Sequence, residues 1–182
     1  MHLTDVNKIL KVFNSKDWSE YYEYVNIPKL VNEEQDQKYA NTPKKNIWFK
    51  IFKTLDEKRS LKEFEFVKDI IQSEIKKINS NYLLSDYITF LIYEKGDFFA
   101  EHSDGLGIPP NKTKKHNTIL SGGYLLNNDY EGGDFIIDGK KLNVDIGELF
   151  YFGRDTLHEI TEVKSGIRYS LHFGIDKAKH LI

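Results

Sequence analysis

The sequence predicts an α+β fold in which N-terminal helices buttress one sheet of a β-sandwich or barrel. Three observations predict it. Apolar residues recur at helical spacing only in the first 80 or so residues. From Asp86 onward the chain breaks into short apolar runs of strand length. Turn signals punctuate those runs: Gly96-Asp97, Asn127-Asn128-Asp129, Asp138-Gly139, Asp145-Ile146-Gly147 and Lys164-Ser165-Gly166. Helices first and strands afterwards is the α+β order.

The whole-chain properties bound the rest. At 182 residues the expectation is one domain, 1–182, with 1–85 as mostly helical support and 86–175 as the β core. A net charge of −2 creates no field that would attract nucleic acid or an anionic membrane. The absence of cysteine excludes disulfides and thiolate-bound metals. Met1-His2-Leu3-Thr4-Asp5 lacks the basic start and apolar run of a signal peptide, and no apolar run reaches bilayer length. A soluble cytoplasmic protein is the expectation.

Taken in order, Val6, Ile9, Leu10 and Phe13 share one helical face, with Thr4 or Asp5 as the cap. A second helix over 17–25 presents Trp18, Tyr21, Tyr22 and Val25 to a core, and the polar stretch 31–46 reads as a loop. Residues 47–52 form an aromatic-rich strand. Ser60-Leu61-Lys62-Glu63 is a capping box, and the helix it opens carries Leu61, Phe64, Val67, Ile71, Ile75 and Ile78 along one side until Asn79-Ser80-Asn81 stops it. Eight strands follow, near 86–94, 98–102, 117–126, 133–137, 140–144, 148–152, 158–163 and 167–175. The second of these reads as the strand returning from a hairpin at Gly96-Asp97, or as that strand's exit.

Residues 93–104 concentrate the chemistry. On an extended segment alternate side chains share a face, so His102 and Asp104 point together. An imidazole and a carboxylate on one face are two thirds of a facial iron-binding triad, and His158 is a candidate for the third group. Ten residues further on, Arg168 and Ser170 share a strand face, where a guanidinium and a hydroxyl can grip a carboxylate. A metal with three open positions beside an anion site suits a dicarboxylate that chelates by its other end, and 2-oxoglutarate fits that description. Taken alone, His-x-Asp is an ordinary surface pair, Arg168 a surface ion-pair partner, Tyr93 a core aromatic, and Gly132-Gly133 a tight piece of backbone.

Four ordered pieces resemble the 2-oxoglutarate- and iron(II)-dependent oxygenases, and within them the prolyl 4-hydroxylase-like branch. They are Tyr93-x-x-Gly96 leading to His102-x-Asp104, Tyr124-Leu125-Leu126-Asn127 followed by 130–135 (YEGGDF), 147–152 (GELFYF) before 157–163 (LHEITEV), and 166–171 (GIRYSL). The resemblance covers about half the chain. It implies a double-stranded β-helix (jelly-roll, cupin-like) core, with His102, Asp104 and His158 as iron ligands. It further implies Arg168, helped by Ser170, on the distal carboxylate of 2-oxoglutarate and Tyr93 hydrogen-bonding that cosubstrate. Fe(II), 2-oxoglutarate and O2, with ascorbate as reductant, are the implied cofactors. The implied reaction decarboxylates 2-oxoglutarate to succinate while hydroxylating an unactivated carbon. The retained Asp104 favours hydroxylation over halogenation. Many relatives carry Lys where this chain has Arg168, and the family has no fixed histidine at His172, which shares the face of Arg168 and Ser170 and reads as a structural packing residue or as a group near the iron.

The implied substrate is a prolyl or other side chain of a protein or peptide; a free amino acid or similar small molecule is the alternative. Nucleic-acid demethylation is disfavoured by the charge balance. A non-catalytic cupin-like metal-binding protein and a zinc hydrolase also accept the three ligands, although the hydrolase leaves Arg168-Tyr169-Ser170 without a use. The stretch 105–115, with its glycines, prolines and three lysines, directly follows two candidate ligands and reads as a lid or as a solvated loop. His116 reads as a loop residue, and His2 and His180 as solvated terminal residues.

Overall fold

A computed structural model describes residues 1–15, 17, 62–104 and 118–178. The expected helix over 17–25 (save Asp17), loop over 31–46, strand over 47–52, the Ser60-Leu61 start of the capping box, the 105–115 stretch, His116 and His180 lie outside the described residues.

Helix α1 spans Leu3–Phe13 and buries Val6, Ile9 and Phe13. Its cap is neither Thr4 nor Asp5. His2 occupies that position in extended conformation without a side-chain cap bond, and its carbonyl accepts the N–H groups of Asp5 and Val6. The Met1 ammonium bonds the Gly147 carbonyl at 2.9 Å, so a tertiary contact starts the helix earlier than local capping would. A 3-10 turn over Lys62–Phe64 leads into α2, Glu65–Ile78. The stripe Phe64, Val67, Ile71 and Ile75 is fully buried, while Ile78 is half-buried at the helix end.

Among the described residues ten strands follow: β1 Tyr82–Tyr93, β2 Phe99–His102, β3 Thr118–Leu125, β4 Glu131–Gly132, β5 Phe135–Ile137, β6 Lys140–Lys141, β7 Leu149–Gly153, β8 His158–Ile160, β9 Val163–Ser165 and β10 Arg168–Lys177. They form a major sheet in the order β1-β10-β3-β7, a minor sheet β2-β8-β5-β6, and a two-stranded ribbon β4-β9, all antiparallel. This is the jelly-roll arrangement with helices on one sheet.

The period of two sorts the major sheet into two faces. Ile88, Phe90 and Ile92 of β1, Tyr124 of β3, and Leu171, Phe173 and Ile175 of β10 join α1 and α2 in one core. Phe13 stacks on Phe90, with ring centroids 4.6 Å apart. The opposite face turns toward the minor sheet, where Tyr93 and Leu91 meet Phe99, Phe135, Ile160 and Val163. Each fully buried aliphatic chain contributes about 1.5–3 kcal/mol, so the α2 stripe is a main anchor of the helical layer.

Three further expectations are corrected. β2 does not return onto β1 as a hairpin; it crosses to the minor sheet and pairs with β8. The Gly96-Asp97 turn still forms, with the Asp97 carboxylate accepting the Glu94 N–H, but Gly96 donates to Val163 and so turns the chain away from β1. The strand expected over 158–163 is two strands, β8 and β9, because Thr161 and Val163 bond outward to Asp134 and Asp97. Finally, β1 begins at Tyr82 rather than near Asp86.

Glycines sit where close approach demands them. Gly132 and Gly133 both adopt positive φ (71° and 61°), and a Cβ on Gly132 would lie 2.2 Å from the Glu162 carbonyl oxygen. A Cβ on Gly133 would press on the Arg168 side chain at 3.0 Å. The Gly-Gly pair thus lets β4 run against the β8–β9 bend and leaves room for Arg168.

Because the α2 stripe anchors the helices, Ile71→Ala is expected to lower unfolding stability by about 2–5 kcal/mol in urea denaturation. A loss under about 1 kcal/mol would show that α2 is not integral to the core.

Candidate metal and carboxylate site

Two histidines meet because two strands pair. His102 at the end of β2 and His158 at the start of β8 are register partners in the minor sheet, and their ring centroids lie 4.2 Å apart. Each ring is oriented by the carbonyl two residues before it: His102 Nδ1 lies 2.8 Å from Ala100 O, and His158 Nδ1 lies 3.0 Å from Thr156 O. With Nδ1–H donated to the backbone, Nε2 carries the free lone pair on both rings. Both Nε2 atoms face the same carboxylate oxygen, Asp104 Oδ1, at 3.8 and 3.7 Å. One nitrogen from each ring and one oxygen of Asp104 lie within 4.8 Å of one another. The three groups expected from sequence are brought together.

Burial holds the pair of imidazoles neutral. The His102 pKa is pushed down to about 4, first by burial and then by the neighbouring His158. Burial likewise lowers the His158 pKa, with the Asp104 carboxylate pulling the other way. For Asp104 burial alone would favour the neutral acid, but the charge and hydrogen bond of His172, the charge of His158 and the Ser121 hydroxyl outweigh it. The carboxyl is held well below its usual range. Two neutral imidazoles and one carboxylate are the protonation state a metal-binding face needs. An aromatic wall of Phe135, Phe150 and Phe152 stands beside His158, with Phe152 at 4.7 Å between centroids.

The second half of the site lies along β10. Arg168 is 3% exposed, and its Nη1 donates to Ser170 Oγ at 2.8 Å. Its guanidinium sits 5.5 Å from the ring centroid of Tyr93, the register partner of Arg168 on β1. Among the described residues no carboxylate pairs with this buried cation. Arg168 Nε and the Tyr93 hydroxyl are both buried without a hydrogen-bond partner. Burial pushes the Tyr93 pKa up to about 12, so the phenol remains a donor. Two orphaned donors beside a buried positive charge fit an incoming carboxylate. A cavity of about 610 Å³ reaches Arg168 and is lined also by Leu125, Tyr130, Gly133, Phe135 and Phe150. It meets the carboxylate half of the site and not the three candidate ligands.

Sequence reading missed Ser121, whose hydroxyl donates to Asp104 Oδ2, and Arg154, whose Nε lies 3.3 Å from the Asp104 carbonyl oxygen. The signal for Ser121 was its place before Gly122-Gly123: paired glycines inside a strand mark close approach. A Cβ at Gly123 would stand 2.5 Å from the Leu171 carbonyl oxygen. No sequence signal singles out Arg154.

No family profile and no curated protein sequence matches the chain. Solved structures do. A Pseudomonas putida prolyl-4-hydroxylase aligns over 98% of this chain and 89% of its own, with a TM-score of 0.63 and 16% identity. A Trichoplax adhaerens prolyl hydroxylase, solved with a peptide fragment of the hypoxia inducible factor oxygen degradation domain, aligns over 96% and 78%, with a TM-score of 0.60 and 16% identity. A Burkholderia pseudomallei oxidoreductase of the 2OG-Fe(II) oxygenase family aligns over 98% and 93%, with a TM-score of 0.54 and 11% identity. The chain has the fold these proteins share. Among the described residues no helix is long and apolar enough to cross a membrane.

The depressed His102 pKa has a definite sign in metal-free protein. Below its ordinary value of 6.5 the unfolded chain takes up a proton that the folded chain refuses until about pH 4. Stability should therefore fall by up to a few kcal/mol as pH drops through that window, and His102→Gln should flatten the slope. Equal slopes in wild type and variant, by urea denaturation at several pH values, would refute the burial of this imidazole.

Proposed function

We propose that the protein is a 2-oxoglutarate- and Fe(II)-dependent dioxygenase that hydroxylates an unactivated carbon, in a prolyl or other side chain of a protein or peptide. The observation that carries this reading is the pairing of two half-sites. A neutral His, neutral His, ionised Asp face meets the middle of β10 at His172, and a buried Arg168, without a carboxylate partner among the described residues, stands four residues away at the start of the same strand. A zinc hydrolase has a use for the first half only.

In this reading His102 and His158 present Nε2 to the iron and Asp104 presents its carboxylate, which lowers the charge of the bound ion. Iron(II), with 2-oxoglutarate and O2, supplies the oxidising power for attack on a C–H bond. Arg168 holds the distal carboxylate of 2-oxoglutarate, and Ser170 keeps the guanidinium turned toward it. Tyr93, protonated at any physiological pH, donates a further hydrogen bond to the cosubstrate. Phe135, Phe150 and Phe152 keep water from the reacting face. Ascorbate serves as the external reductant. A peptide substrate is supported by the shared fold of two prolyl hydroxylases, one of them solved with a bound peptide. The chain contains no cysteine, which fits work in a reducing compartment, and a cytoplasmic location belongs to the proposal.

The test is anaerobic titration of the Fe(II)-loaded protein with 2-oxoglutarate, following the weak visible charge-transfer band of the chelate. Wild type should develop the band and His102→Ala should not. Arg168→Ala should require about 10- to 100-fold more 2-oxoglutarate, the loss expected for charge-assisted hydrogen bonds. No band in wild type, together with tight retention of zinc, would replace this reading with a hydrolase or a metal-binding protein.

A further inference from the structure

Asp104 differs from its two partners in how it is held. His102 and His158 sit in paired strands, so the sheet ladder places them. Asp104 lies two residues beyond the end of β2, where no ladder fixes the backbone. Three side chains from other elements take over that task. Arg154, in the turn between β7 and β8, reaches the Asp104 carbonyl. The Ser121 hydroxyl, from β3, donates to Oδ2. The His172 ring, from β10, places Nε2 at 3.2 Å from the same Oδ2. Ser121 and His172 stand on neighbouring strands: Gly123 is the register partner of His172, and Ser121 lies two residues before Gly123 on the same face of β3.

The two carboxylate oxygens consequently have separate environments. Oδ1 faces His102 Nε2 and His158 Nε2, while Oδ2 receives a hydroxyl and an imidazole. An ionised carboxylate oxygen offers about two lone-pair sites, so two donors saturate Oδ2 and leave Oδ1 for a cation. His172 stands behind the carboxylate and does not join the group of atoms that lie within 4.8 Å of one another.

We propose that Ser121 and His172 are positioning residues that hold Asp104 to its metal through one oxygen only. The consequence is a count of open positions. An octahedral ion on a three-ligand face keeps three positions, as many as a bidentate 2-oxo acid and one oxygen molecule require. A carboxylate free to swing and bind through both oxygens would take one of them. This inference rests on the metal-site reading above.

The experiment titrates Mn(II) into the full chain, measuring free ion by electron paramagnetic resonance and bound water by proton relaxation. Wild type should bind Mn(II) with several exchangeable waters. Loss of contacts to a ligating group weakens metal binding by about 10- to 100-fold, and His172→Phe should do so with a drop in relaxation per bound ion. Ser121→Ala, a smaller change, should move both readouts the same way, and His172→Gln, whose amide can donate to Oδ2, should recover them. His172→Phe with wild-type affinity and relaxation would overturn the proposal while leaving the metal site intact. So would His172→Gln behaving as badly as His172→Phe at an unchanged melting temperature, since that marks a packing role. A wild type that binds no Mn(II) would overturn the metal reading and this inference together.

Discussion

The antiparallel pairing of β2 with β8 sets His102 opposite His158, and the candidate metal site depends on that register. A slip of one residue would turn one imidazole to the far face of the minor sheet. The pairing itself depends on the chain leaving β1 at the Gly96-Asp97 turn instead of doubling back. Gly96 donates to Val163 and Asp97 accepts from Val163, so the turn is tied to β9 rather than to its own hairpin. The same bonds bend the chain between β8 and β9 and bring it past Gly132, and the missing side chain of Gly133 leaves space for Arg168.

Around that register the interior is divided by the pleat of β10. One face gives Leu171, Phe173 and Ile175 to the helical core, and the other gives Arg168, Ser170 and His172 to the space between the sheets. The helices, though far from the chemistry in sequence, therefore act on it: by packing on the outer face they fix which side of β10 points inward. An unpaired buried guanidinium is costly, and a fold retains such a group only when something offsets the cost. In Arg168 the Ser170 hydroxyl and the Tyr93 ring offset part, and the orphaned Nε marks where the remaining partner would sit.

Electrostatics at the other half run in opposite directions for the imidazoles and the carboxylate. Burial alone disfavours charge on all three groups. The histidines yield to it and stay neutral; Asp104 does not, because hydrogen-bond donors on β3 and β10 supply what water would otherwise give. Differences in neighbours, not in exposure, separate a neutral imidazole from an ionised carboxylate a few ångströms away.

Much of this was legible in the chain. The stripe of Phe64, Val67, Ile71 and Ile75 predicts a buried helical face, and Asp138-Gly139 makes the tight β5–β6 turn with positive φ at both residues, because those signals are local. His102, Asp104, His158, Arg168 and Ser170 could be nominated from residue type and spacing, since strand alternation is a short-range rule. What the sequence could not determine is which strand pairs with which. A turn signal states that the chain reverses, and long-range hydrogen bonds decide onto what; hence β2 joined the minor sheet and one expected strand became β8 and β9. Likewise the glycines after Ser121 mark only close approach, and Arg154 carries no local signal; their relation to Asp104 exists through contacts 17 and 50 positions away. Local chemistry determined the candidates, and the pairing of distant backbone decided their partners.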